Sequence, residues 1–198
     1  MTGINIRHSK GFTLIELLIV LALFVFIIDA TVSIFVSIVH HQKRVLADQE
    51  LLDQANYVLE SISNSLKMAQ EDKAGICLYR DAIRYPGYFY ILTHRDGDSG
   101  FYQGIKFLNA NGICEEFFLD NDGQFKKSDN VNLPQNIISS KFNIVYARFL
   151  INGDKTVTGS SKNALAVPRV TMVLNIQHQT EGSLQGKVIQ TTISQRNY

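Results

Sequence analysis

Residues 12–39 read FTLIELLIVLALFVFIIDATVSIFVSIV, an apolar run in which only Glu16 and Asp29 carry charge. A bilayer core about 30 Å thick is crossed by a helix of roughly 20 apolar residues, so this run is long enough to span it. A buried helix of a soluble domain rarely reaches this length while apolar on all sides. A secretory signal peptide is the competing reading, because Arg7 and Lys10 form a basic segment ahead of the run. Against it, the run is too long for a signal-peptide core and no A-x-A-like small-residue site ends it. His40, His41, Lys43 and Arg44 follow directly. Basic residues on both flanks leave the orientation of the span open on charge alone. The run reads as a membrane helix.

Moving outward toward the N-terminus, Glu16 is the anomaly. A carboxylate at the centre of a membrane helix costs on the order of 2.5–3.5 kcal/mol, less near an end, and normally has a partner. For a generic membrane protein the side chain simply snorkels to the interface. Its neighbours alter that balance: residues 10–20 read KGFTLIELLIV. This stretch resembles the processing motif of type IV pilin-family prepilins, with a short basic leader, Gly then Phe, and Glu four residues after the Phe. The resemblance implies cleavage between Gly11 and Phe12 by a membrane prepilin peptidase, with Lys10 in the recognised segment, and N-methylation of Phe12. It also implies a role in assembly for Glu16. A new ammonium on Phe12 in apolar surroundings needs a counter-charge, and in the family this Glu is thought to meet the terminal amine of a subunit already in the filament. Its presence argues against the tip pseudopilins that lack it. Major pilins often carry a helix-breaking Gly or Pro within this segment, whereas here neither residue occurs between Gly11 and Gly75. Asp29 is a second departure. It either pairs with a neighbouring subunit or faces Thr31, Ser33 and Ser37 of its own helix.

Toward the C-terminus the helix continues. Val45, Leu52, Leu59 and Leu66 recur every seven residues, with Ala55, Ile62 and Ala69 each three further on, and Gln49, Asp53, Asn56, Glu60 and Ser63 opposite. That is one apolar stripe on a helix running to about Gln70. A coiled coil is the rival, but the stripe is short and Asp48 interrupts it. The better expectation is an amphipathic half lying on a sheet. Residues 54–69, QANYVLESISNSLKMA, also look similar to the matching helix of J-type minor pseudopilins and related larger minor pilins.

Beyond Gly75 the texture changes to short β-branched and aromatic runs between turn signals. Strands are expected at 75–79, 88–94, 101–108, 113–119, 141–151, 169–177 and 187–195, with 126–140 as a surface loop. Asp96-Gly97, Asn111-Gly112, Asp122-Gly123 and Asn152-Gly153 mark turns. The last two strands should form a long hairpin ending in a pilin-like tail, Gln195 to Tyr198. The fold class is therefore α+β and pilin-like: a long N-terminal helix, half membrane and half amphipathic, on an antiparallel sheet domain. The expected divisions are 1–11 leader, 12–39 membrane and assembly helix, 40–70 amphipathic helix and 71–198 β-rich domain.

Chemistry is scarce in this region. The net charge of +1 argues for neither a nucleic-acid groove nor a polybasic membrane patch. Cys77 and Cys114 allow one pairing and have no metal spacing; a disulfide forms only if the domain lies outside the cytoplasm and their Cα atoms come within roughly 7 Å. His94 stands near Asp96 and Asp98 without a nucleophile elbow or paired His ligands. Asp120-Asn-Asp-Gly123 echoes a calcium loop but lacks its later ligands, which favours a hairpin turn. No catalytic, cofactor or metal residues are expected. The resemblance implies instead a structural minor pilin or minor pseudopilin of a type IV pilus, type II secretion or DNA-uptake machine. Its implied partners are the prepilin peptidase, other pilin or pseudopilin subunits, the inner-membrane assembly platform and, before assembly, membrane lipid. The implied location is the bacterial inner membrane, with the β domain outside the cytoplasm, and then the filament. The alternative is an adhesin or ligand-binding domain anchored by a pilin-type helix, with Tyr85, Tyr88 and Tyr90 as a candidate patch, although packing in the sheet is the better expectation for them.

Overall fold

A computed structural model describes residues 11–153, 167–178 and 186–196. Two compact units divide between Asp48 and Gln49, and a single helix, α1 (Leu14–Lys67), belongs to both. With no Gly or Pro from Phe12 to Ala74, nothing in the chain breaks it.

In the first unit every residue from Phe12 to Ile38 is exposed. Leu14, Phe24, Phe26 and Phe35 are each more than half accessible. The helix is long and apolar enough to cross a membrane by length and composition.

The second unit joins the end of α1 to an antiparallel sheet. The strands are β1 (Tyr79–Arg80), β2 (Ile83–Arg84), β3 (Tyr90–Arg95), β4 (Tyr102–Leu108), β5 (Cys114–Leu119), β6 (Phe125–Asp129), β7 (Gln135–Asn136), β8 (Phe142–Asn152), β9 (Arg169–His178) and β10 (Lys187–Ser194). β1 and β2 form a separate two-stranded hairpin. The rest make one sheet, ordered β10-β9-β8-β4-β5-β6-β7, with β3 on the other side of β4. β8 is joined to β4 through the pair Tyr102–Phe149 alone.

One face of this sheet buries the helix stripe. Leu51, Ala55, Val58, Ile62, Leu66 and Ala69 share a core with Ile105, Phe107, Phe117, Phe149 and Met172. The expected stripe holds in part. Ala55, Ile62, Leu66 and Ala69 are buried as expected, but Leu59 is only partly buried and Leu52 is 42% exposed. Leu59 and Leu52 thus lie at the edge of the face that Leu51 and Val58 occupy. Spacings of three and four from Leu51 hold the face.

The helix ends at Lys67 without a glycine. Carbonyls at its end and just beyond it, which the helix itself leaves short of donors, receive distant ones. The Tyr90 hydroxyl donates to Leu66 O (2.7 Å), Arg196 N–H to Lys67 O (3.1 Å) and Gln195 Nε2 to Ala69 O (3.0 Å). The segment after the last strand thus caps the first helix.

Two strand expectations fail. Residues 75–79 are mostly loop, with only Tyr79 in a strand; Cys77 and Leu78 are buried in a small second core with Ile91 and Cys114 rather than by a ladder, while Ile76 and Tyr79 are exposed. Residues 126–140 are not simply loop, because β6 and β7 lie there. β6 carries half-buried Lys126, Lys127 and Ser128 between a buried Phe125 and the Asp129 turn, so its sequence reads as polar connection. Residues 179–185 between β9 and β10, and Asn197 and Tyr198, fall outside the described segments; the paired strands β9 and β10 run from Arg169↔Ser194 to Ile176↔Lys187.

Candidate functional site

Gly11 and Phe12 precede the helix and are both exposed, Phe12 at 78%. A methyl group built on Gly11 meets nothing within 4 Å. Lys10 lies outside the described residues. Thr13 begins the helix: the Leu17 N–H donates to its carbonyl (3.2 Å) and the Glu16 N–H to its hydroxyl (3.4 Å). This is a side-chain N-cap, and Thr13-x-x-Glu16 has capping-box spacing. The signal was readable in the sequence and was missed there. Glu16 therefore sits in the first helical turn, where the helix dipole favours a carboxylate. Among the described residues it forms no ion pair.

Asp29 is exposed in the middle of the apolar unit. Thr31 does not donate to it. The Thr31 hydroxyl donates instead to the carbonyls of Ile27 (3.0 Å) and Ile28 (2.8 Å), the back-bonding common for Thr in helices.

In the second unit Cys77 and Cys114 are joined by a disulfide, Cα atoms 5.4 Å apart. The residue that organises this region is Asp72, only 4% exposed. Its carboxylate accepts N–H groups from Ile76 (3.2 Å), Cys77 (2.8 Å) and Leu78 (2.8 Å). Its backbone bridges to Tyr88 O (2.9 Å) and accepts from Gly87 N (2.8 Å). One residue, through side chain and backbone together, thus folds residues 72–88 back on themselves and presents Cys77 to Cys114. Nothing local in the sequence marks Asp72, since its partners are main-chain groups.

The three tyrosines pack inward, the favoured expectation, rather than forming an open patch. Tyr90 is buried in the main core, and Tyr85 and Tyr88 meet edge to face at 5.5 Å against the disulfide cluster. Asp120 to Gly123 is a hairpin turn closed by Asp120 N–H to Gln124 O (2.9 Å) and Gly123 N–H to Asp120 O (3.0 Å), with Lys126 paired to the Asp120 carboxylate. His94 lies parallel to Phe118, centroids 4.4 Å apart, with Nδ1 3.2 Å from Glu116 Oε1. Burial works against ionisation of Glu116. Hydrogen bonds from His94 and Thr93, with the charges of His94 and Lys106, outweigh it and hold the carboxyl below its usual range.

Residues 6–28 match the family model of the prokaryotic N-terminal methylation motif. No curated protein and no solved structure matches the chain. The match covers the basic leader, the Gly11-Phe12 junction, Glu16 and most of the apolar run. It stops short of the second unit, so any closer subfamily rests on that unit's own residues. Joined to an apolar N-terminal helix and an antiparallel sheet domain, the motif shows that this chain carries a type IV pilin-type prepilin leader and is a pilin- or pseudopilin-like precursor.

Proposed function

We propose that the chain is a structural minor pilin or minor pseudopilin, cut between Gly11 and Phe12, methylated at Phe12 and assembled through α1. The observation that carries this reading is the pairing of the methylation motif with a helix whose residues 12–38 are all exposed in the single chain. That much apolar surface needs lipid before assembly and other subunits after it. Phe12 then supplies an ammonium and Glu16 the carboxylate that neutralises it on the adjacent subunit. The β domain lies outside the cytoplasm, where the Cys77–Cys114 bond persists. Length favours a minor subunit, because a sheet domain of this size is bulky for a filament repeated thousands of times.

Intact-mass measurement and N-terminal sequencing of the protein from membranes of a host with a prepilin peptidase test the processing step. A chain beginning at methylated Phe12 supports the proposal; a chain still beginning at Met1 overturns it. Glu16→Ala tests assembly: cleavage is retained, and recovery in sheared filament fractions falls at least tenfold.

A further inference from the structure

The sheet divides where β4 changes partner. β4 pairs with β5 from Gly104 to Leu108 and with β8 only at Tyr102. β5 and β8 part there, and an open cleft of about 410 Å³ lies between them. Its walls include His94, Arg95, Asp96, Gln103, Asp120 and Asn121. We propose that this cleft binds one ring of a neutral saccharide.

Charge narrows the ligand first. Asp120 is neutralised by Lys126, and Asp96 is engaged by the Ser99 hydroxyl and shares its wall with Arg95. The Ser99 hydroxyl, against some burial, holds Asp96 ionised, and the Lys126 hydrogen bond does the same for Asp120. Both signs are present and balanced, so neither an anion nor a cation meets an uncompensated field. Among the described residues no three His, Cys, Asp or Glu side chains are grouped to hold a metal ion.

Hydrogen bonding narrows it further. Gln103, whose amide also reaches the Asp96 carboxylate, and Asn121 each carry amide donors and an acceptor, and Arg95 adds planar donors. A ring bearing adjacent hydroxyls uses both kinds at once, whereas an apolar ligand would strand them. The volume falls within the usual range for small-molecule sites, about 300–1,000 Å³.

The backbone supplies the third observation. The β3–β4 register runs Thr93↔Gly104 and then Arg95↔Tyr102, leaving out His94, whose φ is +53°. This left-handed kink is disfavoured for a residue with a Cβ, and such conformations cluster at binding sites. Core packing does not demand it, because the His94 side chain is 44% exposed. It lays the imidazole on Phe118 across Gly104, where any Cβ would run into Thr93 Oγ1 at 2.4 Å and His94 Nδ1 at 2.9 Å. The arrangement presents an aromatic ring beside a polar cleft, the pairing that suits a sugar's C–H face and hydroxyl edge.

Saturation-transfer NMR on the full chain in detergent micelles tests this, with glucose, galactose and N-acetylglucosamine as millimolar probes and acetate and choline as charged controls. At least one sugar should show ring-proton saturation. Losing one hydrogen-bonding side chain, in Gln103→Ala or Asn121→Ala, should weaken binding about fivefold or more. Circular dichroism and an intact disulfide verify that each variant is folded; the exposed Asn121 guards against failure of the half-buried Gln103 change. No transfer from any of the three sugars overturns the proposal. So does transfer unchanged in folded Asn121→Ala, or stronger transfer from acetate or choline. None of these outcomes bears on cleavage at Gly11, so the site and the prepilin reading stand or fall separately.

Discussion

The two ends of α1 are built from the same residue types and meet opposite fates. From Phe12 to Ile38 every side chain is exposed; from Leu51 to Leu66 one stripe of five is buried to 3% or less. The difference is in the pattern, not the total apolar content. The first stretch is apolar on all sides, so no single sheet could cover it. The second has Asp53, Asn56 and Glu60 facing water, so one sheet is enough. Burial of the first stretch must come from other molecules, whereas the second supplies its own. Substitutions in the two stretches should therefore be felt by different assays.

The largest effect belongs to the first stretch and should leave the fold untouched. Gly11→Ser is expected to abolish processing and leave the uncut chain in the membrane, read by intact mass. Because a Cβ at Gly11 meets nothing within 4 Å, the melting curve should not move. Normal processing of this variant would break the comparison at its functional end.

Next comes Ile62→Ala, in the second stretch. Ile62 is completely buried against the sheet, and such a truncation costs about 2–5 kcal/mol through lost burial and the cavity left behind. Leu23→Ala, at a position 59% exposed, should change domain stability by less than about 0.5 kcal/mol. Denaturant titration of both variants in the same detergent checks the contrast. Equal losses would show that the two stretches are not energetically distinct.

This contrast also marks what sequence could convey. The methylation motif, the unbroken helix and the turns at Gly112 and Gly123 are local signals: the family model matches residues 6–28, and the helix and both turns stand where their residues implied. Of the expected stripe, Ala55, Ile62, Leu66 and Ala69 are buried, whereas Leu52 is exposed and its neighbour Leu51 takes the place on the face. Residues 75–79 resembled a strand because an apolar run looks the same whether a ladder or a disulfide cluster buries it. β6 was hidden by its lysines. Asp72 left no trace at all, since three main-chain donors carry no sequence signature. The burial of Cys77 depends on a partner 30 residues away, Phe107, whereas Asp72 and the Thr13 cap act over three to six residues and were missed although they are local.

Asp72→Asn should come third. The amide can satisfy only part of the three N–H groups that the carboxylate receives, and leaving buried donors unmet costs about 1–3 kcal/mol. The disulfide should still form, since Cys114 is fixed by β5. Amide hydrogen exchange of Ile76, Cys77 and Leu78 should accelerate while the α1 stripe keeps its protection. If the stripe loosened equally, the 72–88 segment and the helix face would be one cooperative unit.

The smallest effect is a pH dependence confined to the second unit. Glu116 has its folded pKa lowered from 4.5, burial being outweighed by His94, Thr93 and Lys106. The stability it contributes is then complete above its unfolded pKa and is lost as pH falls through the lower, folded value. The window is thus below about pH 4.5. The His94 partner is 44% exposed, so the pair is worth about 0.2–1 kcal/mol. Asp96, Asp120 and Asp129, also held below their ordinary value by hydrogen bonds from Ser99, Lys126 and Asn132, add losses of the same sign. Melting temperature should fall from pH 6 to pH 3, and Glu116→Gln should flatten part of that fall while lowering stability at pH 6. A fall unchanged in Glu116→Gln would assign it to the turn aspartates and leave the His94–Glu116 pair without energetic weight. The kink at His94 would then need a reason other than this ion pair, and the adjoining cleft is the feature that remains.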